Sequence, residues 1–153
     1  YEEFLSEYIE KKLIKLEKIG IDQIEKVIKS AEKNLKVSEK LLSIDEGHAY
    51  ETAYAAMLHA ARAFVCVKGY RPTTNFQHKT VVGFAAHFLG DRYKSLIEKF
   101  DYMRKNRNNF IYEPWKVNIS MTDAKSALKS ACEFIDIIKE EIRKEHPQKH
   151  LEF

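Results

Sequence analysis

The stretch RKNRNNFIYEPW, Arg104 to Trp115, is the densest concentration of chemistry-bearing side chains in the chain. Three bases and three asparagines fill six residues, and an aromatic-rich segment follows that stops at Pro114. On a helix, Arg104, then Arg107 or Asn108, then Ile111 or Tyr112 lie along one side, three or four residues apart. Two guanidiniums with neighbouring amides could grip a phosphate in bidentate fashion. The same bases sit late in a helix, where positive charge complements the helix dipole with no function attached. Composition leaves both readings open: a solvated helix end, or a phosphate-binding or catalytic face.

A second polar line runs along YETAYAAMLHAARAFVCVK, Tyr50 to Lys68. Glu51, Ala55, His59 and Arg62 recur at spacings of four, four and three, on one stripe of an otherwise apolar helix. An unpaired buried charge is costly, so this stripe either faces solvent or finds partners on another helix or chain. Glu51, His59 and Arg62 are therefore candidate binding residues beside Arg104. Other chemistry is weaker. Ser, His and Asp occur without a nucleophile-elbow signature. His48, His59, His78 and His87 lack HExxH-type spacing, and there is no Gly-rich phosphate loop, so neither a metal nor a cofactor is expected. His146 and His150 fall in a solvated tail.

The elements that must hold these residues are helical. The 153 residues suit one domain with a short added arm. Gly (5) and Pro (3) are too scarce for the turns of an all-β fold, and no stretch sustains period-2 alternation. The net charge of +3 is no broad electrostatic footprint for nucleic acid, which leaves a local basic patch as the only such route. Cys66 and Cys132 each lie in an apolar helical run, as small buried hydrophobes rather than as a disulfide or a zinc site. The start, YEEFLSEYIEKK, is acidic and polar, unlike a signal peptide. No apolar run approaches the ~18 residues of a membrane span, so a soluble, cytoplasmic protein with no membrane contact is expected.

Leu5, Tyr8, Ile9, Leu13 and Leu16 predict a first helix over Glu2 to Lys18, ended by Gly20. Asp22 and Glu25 form an acidic variant of a capping box for a second helix that ends near Ser43. Asp45, Glu46 and Gly47 read as a turn. The Ala-rich third helix, Tyr50 to Lys68, is small-sided enough to be central to a bundle. A polar loop, GYRPTTNF, precedes a short helix from Gln77 to Leu89. A fifth helix runs from about Arg92 to Tyr112, and a last one from Ser120 or Thr122 to about Glu145. Short connections favour antiparallel neighbours. The expected architecture is all-α: an up-and-down bundle of four main helices over residues 21–146 with an inserted short helix, an N-terminal helical arm over residues 1–20, and a flexible tail over residues 147–153.

Two stretches, YETAYAAMLHAARAFVCVKGYRP and RKNRNNFIYEP, resemble the HEPN family of small helical domains. Many members carry Arg, then Asn or another polar residue, three variable positions, and His. Here Arg107-Asn108 is followed by Asn109, Phe110 and Ile111, then Tyr112, so Tyr stands where ribonuclease members have His. The likeness covers roughly Asp22 to Glu145. It implies a homodimer whose two motifs face each other across the two-fold and, in active members, cut RNA without metal by attack of the ribose 2′-hydroxyl. Carried over, Arg107 would hold the phosphate and stabilise its developing charge. Asn108 would orient the phosphate or brace Arg107, and Tyr112 would take the acid/base position.

A general base works best with a pKa near the working pH, which His meets at ~6.5 and Tyr, at ~10, does not. Tyr112 could donate a hydrogen bond or act as an acid, and His59 could supply an imidazole. The resemblance therefore implies binding of RNA or a nucleotide phosphate ahead of cleavage. An active toxin-type endoribonuclease and a protein-interaction module docking a nucleotidyltransferase partner are the alternatives. In the family that partner often modifies a Tyr two residues beyond the motif His. Pro114 occupies that position, so this regulation should be absent.

Overall fold

The protein is described from a computed structural model covering residues 1–74, 77–147 and 149–153. Its centre is α3, Glu46–Val67, whose alanines leave room for neighbours on nearly every side. It packs against α2 (Ile21–Leu41), α4 (Gln77–Leu89), α5 (Lys94–Tyr112) and α6 (Met121–Glu145), giving the expected all-α bundle with a short inserted helix. The stripe Ile24, Ile28, Ala31 and Ser38 buries α2 against α3, where Ser38 Oγ donates to the Ala49 carbonyl at 2.7 Å. Phe100 of α5 meets Tyr54 of α3 and Phe134 of α6, with ring centroids 5.7 and 5.1 Å away. Burying each such ring contributes roughly 2–3 kcal/mol. Lys139 of α6 reaches Glu32 of α2 at 3.4 Å, tying those two helices together.

Helix boundaries follow the caps. Ser120 and Asp123 form a complete capping box at the start of α6, with both bonds at 3.0 Å. The expected Asp22–Glu25 box does not form; α2 begins at an extended Gly20 without a side-chain cap. The expected turn at Asp45–Gly47 is instead the start of α3, because the Asp45 carboxylate accepts the His48 amide at 2.8 Å as an N-cap. A single 3-10 turn, Asp91–Tyr93, leads into α5, and Pro114 ends it.

The N-terminal arm differs most from expectation. Its helix α1 spans only Glu2–Glu10. Lys12 turns to φ +58°, and the amides of Lys12 and Leu13 bond back to Ile9 and Tyr8, which closes a Schellman cap without glycine. The chain then enters β1, Ile14–Leu16, paired antiparallel with β2, Tyr70–Pro72, in the register Ile14↔Pro72, Lys15↔Arg71, Leu16↔Tyr70. Three of the eight residues of the polar loop expected after α3 are thus a strand; Asn75 and Phe76 of that loop lie outside the described residues. The arm docks through Phe4, whose ring stacks on His87 of α4 at 3.9 Å, and through Tyr8, whose hydroxyl sits where a side chain on Gly83 would be.

At the other end, Leu151 and Phe153 pack against the bundle, and an Arg143 guanidinium nitrogen donates to the Phe153 carbonyl at 2.6 Å. Both cysteines are free. Cys66 is half-buried, but Cys132 is exposed on α6, contrary to the buried role its apolar neighbours suggested.

Candidate phosphate-binding site

The end of α5 is fastened to the start of α3 by two contacts. Asn106 Nδ2 donates to the Tyr50 hydroxyl at 3.2 Å. Burial raises that phenol to about 12, so it stays protonated. Phe110 lies on the backbone of Gly47, its ring perpendicular to His48 with centroids 5.6 Å apart. These anchors fix the rotation of α5 and so decide where Arg104 and Arg107 go.

Arg104 and Arg107 are both half-buried. Arg104 Nε donates to Asp101 Oδ1 at 2.9 Å. Burial works against ionisation of Asp101, but the bonds and charges of Arg104 and Lys105 outweigh it and hold the carboxyl below its ordinary value. Arg107 donates to Asn108 Oδ1 at 3.4 Å, so the adjacent amide steadies the guanidinium.

The positive charges of Arg107, Arg104 and Arg62 all bear on one pair of groups, Tyr54 of α3 and His78 in the first turn of α4. The Tyr54 hydroxyl and His78 Nδ1 are 3.0 Å apart. Burial pushes Tyr54 well above the ordinary phenol value, against the pull of the three arginines, so it keeps its proton and can donate it to Nδ1. Partial burial, then the arginine charges, hold His78 below the ordinary imidazole value, so it stays neutral. A neutral ring accepting at Nδ1 carries its proton on Nε2 and can offer it to an anion. Sequence reasoning did not single out Tyr54 and weighed His78 only as a metal ligand. His78 stands 29 positions before Arg107, with no motif spacing to connect them.

The family model for the HEPN domain matches residues 24–142. This chain belongs to the HEPN family. No curated protein matches it.

In this HEPN chain the other candidate residues are dispersed. The polar stripe of α3 is half-buried along its length. Arg62 turns one guanidinium nitrogen to Gln77 Oε1, while its buried Nε finds no acceptor among the described residues. His59 faces α2, where Asn34 Nδ2 at 3.3 Å and Ser30 Oγ at 3.0 Å both meet its Nδ1. Burial, then the charge of Arg62, lowers its pKa. His59 is thus engaged on α2 rather than beside Tyr112. Glu51 has no hydrogen bond or ion pair among the described residues. Tyr112, the last residue of α5, is 71% exposed, and Ile111 and the 76%-exposed Trp115 are exposed apolar neighbours in the chain just after the arginines. A cleft of about 840 Å³ opens beside Arg62 and His59, not between Arg104 and Arg107.

Proposed function

We propose that this HEPN protein binds RNA or a nucleotide phosphate through Arg104, Arg107 and Asn108 of α5, in a cleft completed by a second copy of the chain. The carrying observation is that Arg104, Arg107 and Asn108 are all half-buried near the end of α5, with Asp101 paired to Arg104 and Asn108 steadying Arg107. Like charges gathered on half-buried ground repel one another, and Asp101 offsets only part of that repulsion. A phosphate would relieve it, taking a bidentate bond from Arg107 and a proton-bearing nitrogen from His78. The exposed Ile111, Tyr112 and Trp115 beside the arginines suit an interface between copies, the arrangement implied by the family.

Cleavage is the second reading, and His78 is the imidazole it would use, since RNNFIY ends in Tyr and the arginine charges bear on that ring. To act as a base through Nε2, His78 would have to move its proton to Nδ1 and donate to Tyr54, so holding phosphate is the lesser demand on this geometry. Docking of a nucleotidyltransferase-type protein would use the same apolar group, and co-purification of the product of a neighbouring reading frame would reveal it.

The test is fluorescence anisotropy with single-stranded RNA across a salt series. Binding should weaken as salt rises, and Arg107→Ala should lower affinity and reduce the salt slope by about one. Absence of salt-sensitive binding, or an Arg107→Ala protein that binds like wild type, would refute the proposal. Cleavage that survives Tyr112→Phe and is lost in His78→Ala would favour the enzyme reading.

A further inference from the structure

A second cleft, of about 410 Å³, opens between α5 and α6, with the buried Tyr50 of α3 at its base. We propose that it binds a neutral saccharide, with one ring stacked on Tyr102 and the sugar hydroxyls bonded to the hydroxyls and carboxylates of the walls. The volume lies within the ~300–1,000 Å³ typical of small-ligand pockets. Helical spacing builds both walls: Ser95, Tyr102 and Asn106 line up along α5, and Asp123, Ala127 and Ser130 along α6.

Two buried hydroxyls call for a ligand. Ser130 is 4% exposed and lines the cleft, yet its Oγ has no hydrogen bond among the described residues. A buried hydroxyl without a partner is costly. Tyr50 is 3% exposed, and its oxygen accepts from Asn106 Nδ2 at 3.2 Å. Burial keeps the phenol protonated, and the described residues supply no acceptor for that proton. Both hydroxyls can therefore donate to whatever fills the cleft.

The remaining lining selects the occupant. Glu98 and Asp123 bring negative charge to the cleft, which opposes an anion, phosphate included. Lys99 stands among them, and neither it nor Glu98 has an ion pair among the described residues. Asp123 spends Oδ2 on the Ser120 amide and keeps Oδ1. Sugar hydroxyls, which both donate and accept, satisfy charges of either sign: they donate to the carboxylates and accept from Lys99. Tyr102, its side chain largely exposed, offers an aromatic face, and the negative face of such a ring suits the C–H groups of a sugar.

The cleft shares no residue with Arg104, Arg107 and Asn108, so this site and the RNA-binding face stand or fall separately. The test is an amide chemical-shift titration of the isotope-labelled full chain with glucose, galactose, N-acetylglucosamine and maltose in turn. Spermidine and inorganic phosphate serve as the charged competitors. At least one saccharide should shift residues 95–106 and 123–130 saturably at millimolar concentration. Ser130→Ala should weaken that binding about threefold to tenfold, the worth of one hydrogen bond, while Tm holds or rises because a partnerless buried hydroxyl is removed. Tyr102→Ala should weaken it about fivefold, and Arg107→Gln should leave it unchanged. The proposal is overturned if no saccharide shifts these residues saturably, if both cleft variants bind like wild type, if Arg107→Gln abolishes binding, or if spermidine or phosphate shifts the same residues and no saccharide does.

Discussion

Gly47→Ala tests whether Phe110 sets the position of the α5 motif. A Cβ at residue 47 would stand 2.6 and 2.8 Å from two atoms of the Phe110 ring and 3.2 Å from Asp45 Oδ2. Carbon atoms in ordinary contact sit ~3.5–4.0 Å apart, so the ring must retreat by about 1 Å. Overpacking of this kind costs about 1–3 kcal/mol. Crowding the Asp45 cap adds to that cost, since a lost N-cap is worth about 1 kcal/mol. Against it, Ala is the better helix former by up to about 1 kcal/mol, and less at the second residue of a helix.

The net expectation is a loss of about 1–2 kcal/mol, or roughly 2–8 °C in Tm for a chain of this size. Thermal denaturation followed by circular dichroism measures it. The decisive arm is the same substitution in a Phe110→Ala background. With the ring gone, Gly47→Ala should become neutral or stabilising. Arg107 and Asn108 lie within one turn of Phe110, so the single variant should also weaken RNA binding. An equal Tm loss in both backgrounds, or a rise in Tm in the Gly47→Ala single variant, would refute the reasoning.

Three further outcomes are expected. Lys12→Gly should raise Tm by the equivalent of up to about 1 kcal/mol, because Lys12 holds φ +58° where only glycine is free of steric cost; a lower Tm would contradict that conformation. Gly83→Ala should expel the Tyr8 hydroxyl and loosen the N-terminal arm, seen as faster proteolysis before Leu13, and adding Tyr8→Phe should restore protection; if it does not, the hydroxyl is not the obstacle. Folded His59 and His78 both titrate below their unfolded value of ~6.5, so below that pH the unfolded chain binds more protons. Their stabilisation is therefore complete above about pH 6.5 and is lost as pH falls through the folded values. Melting curves from pH 7.5 to 5 should show this decline, with a smaller slope in His59→Gln and His78→Gln, and a flat profile would exclude it.

The bundle was legible because its signals are local. The apolar stripes of α2, α5 and α6 repeat at helical spacing, α3 advertises its central place through its alanines, and Ser120 with Asp123 mark a start within four residues. The arm was not legible. Leu13 and Leu16 continue a helical pattern that the backbone abandons at Lys12, where no glycine warns of the turn, and Leu16 ends up exposed on β1. Pairing of β1 with β2 joins residues more than fifty positions apart. Three-residue strands also lack the length to show alternation.

The site divides in the same way. Its sequence alone determined that Arg104, Arg107 and Asn108 share one side of a helix, because i, i+3 and i+4 spacing on α5 requires it. Tertiary packing decided what faces them. The Phe110–Gly47 and Asn106–Tyr50 contacts set the rotation of α5, and α4 carries His78 to Tyr54. Packing also placed Lys15 and Arg71 together on the wall of the cleft beside Arg62 and His59. Electrostatic interaction depends on distance through space, and the fold brings these charges close while the chain keeps them far apart.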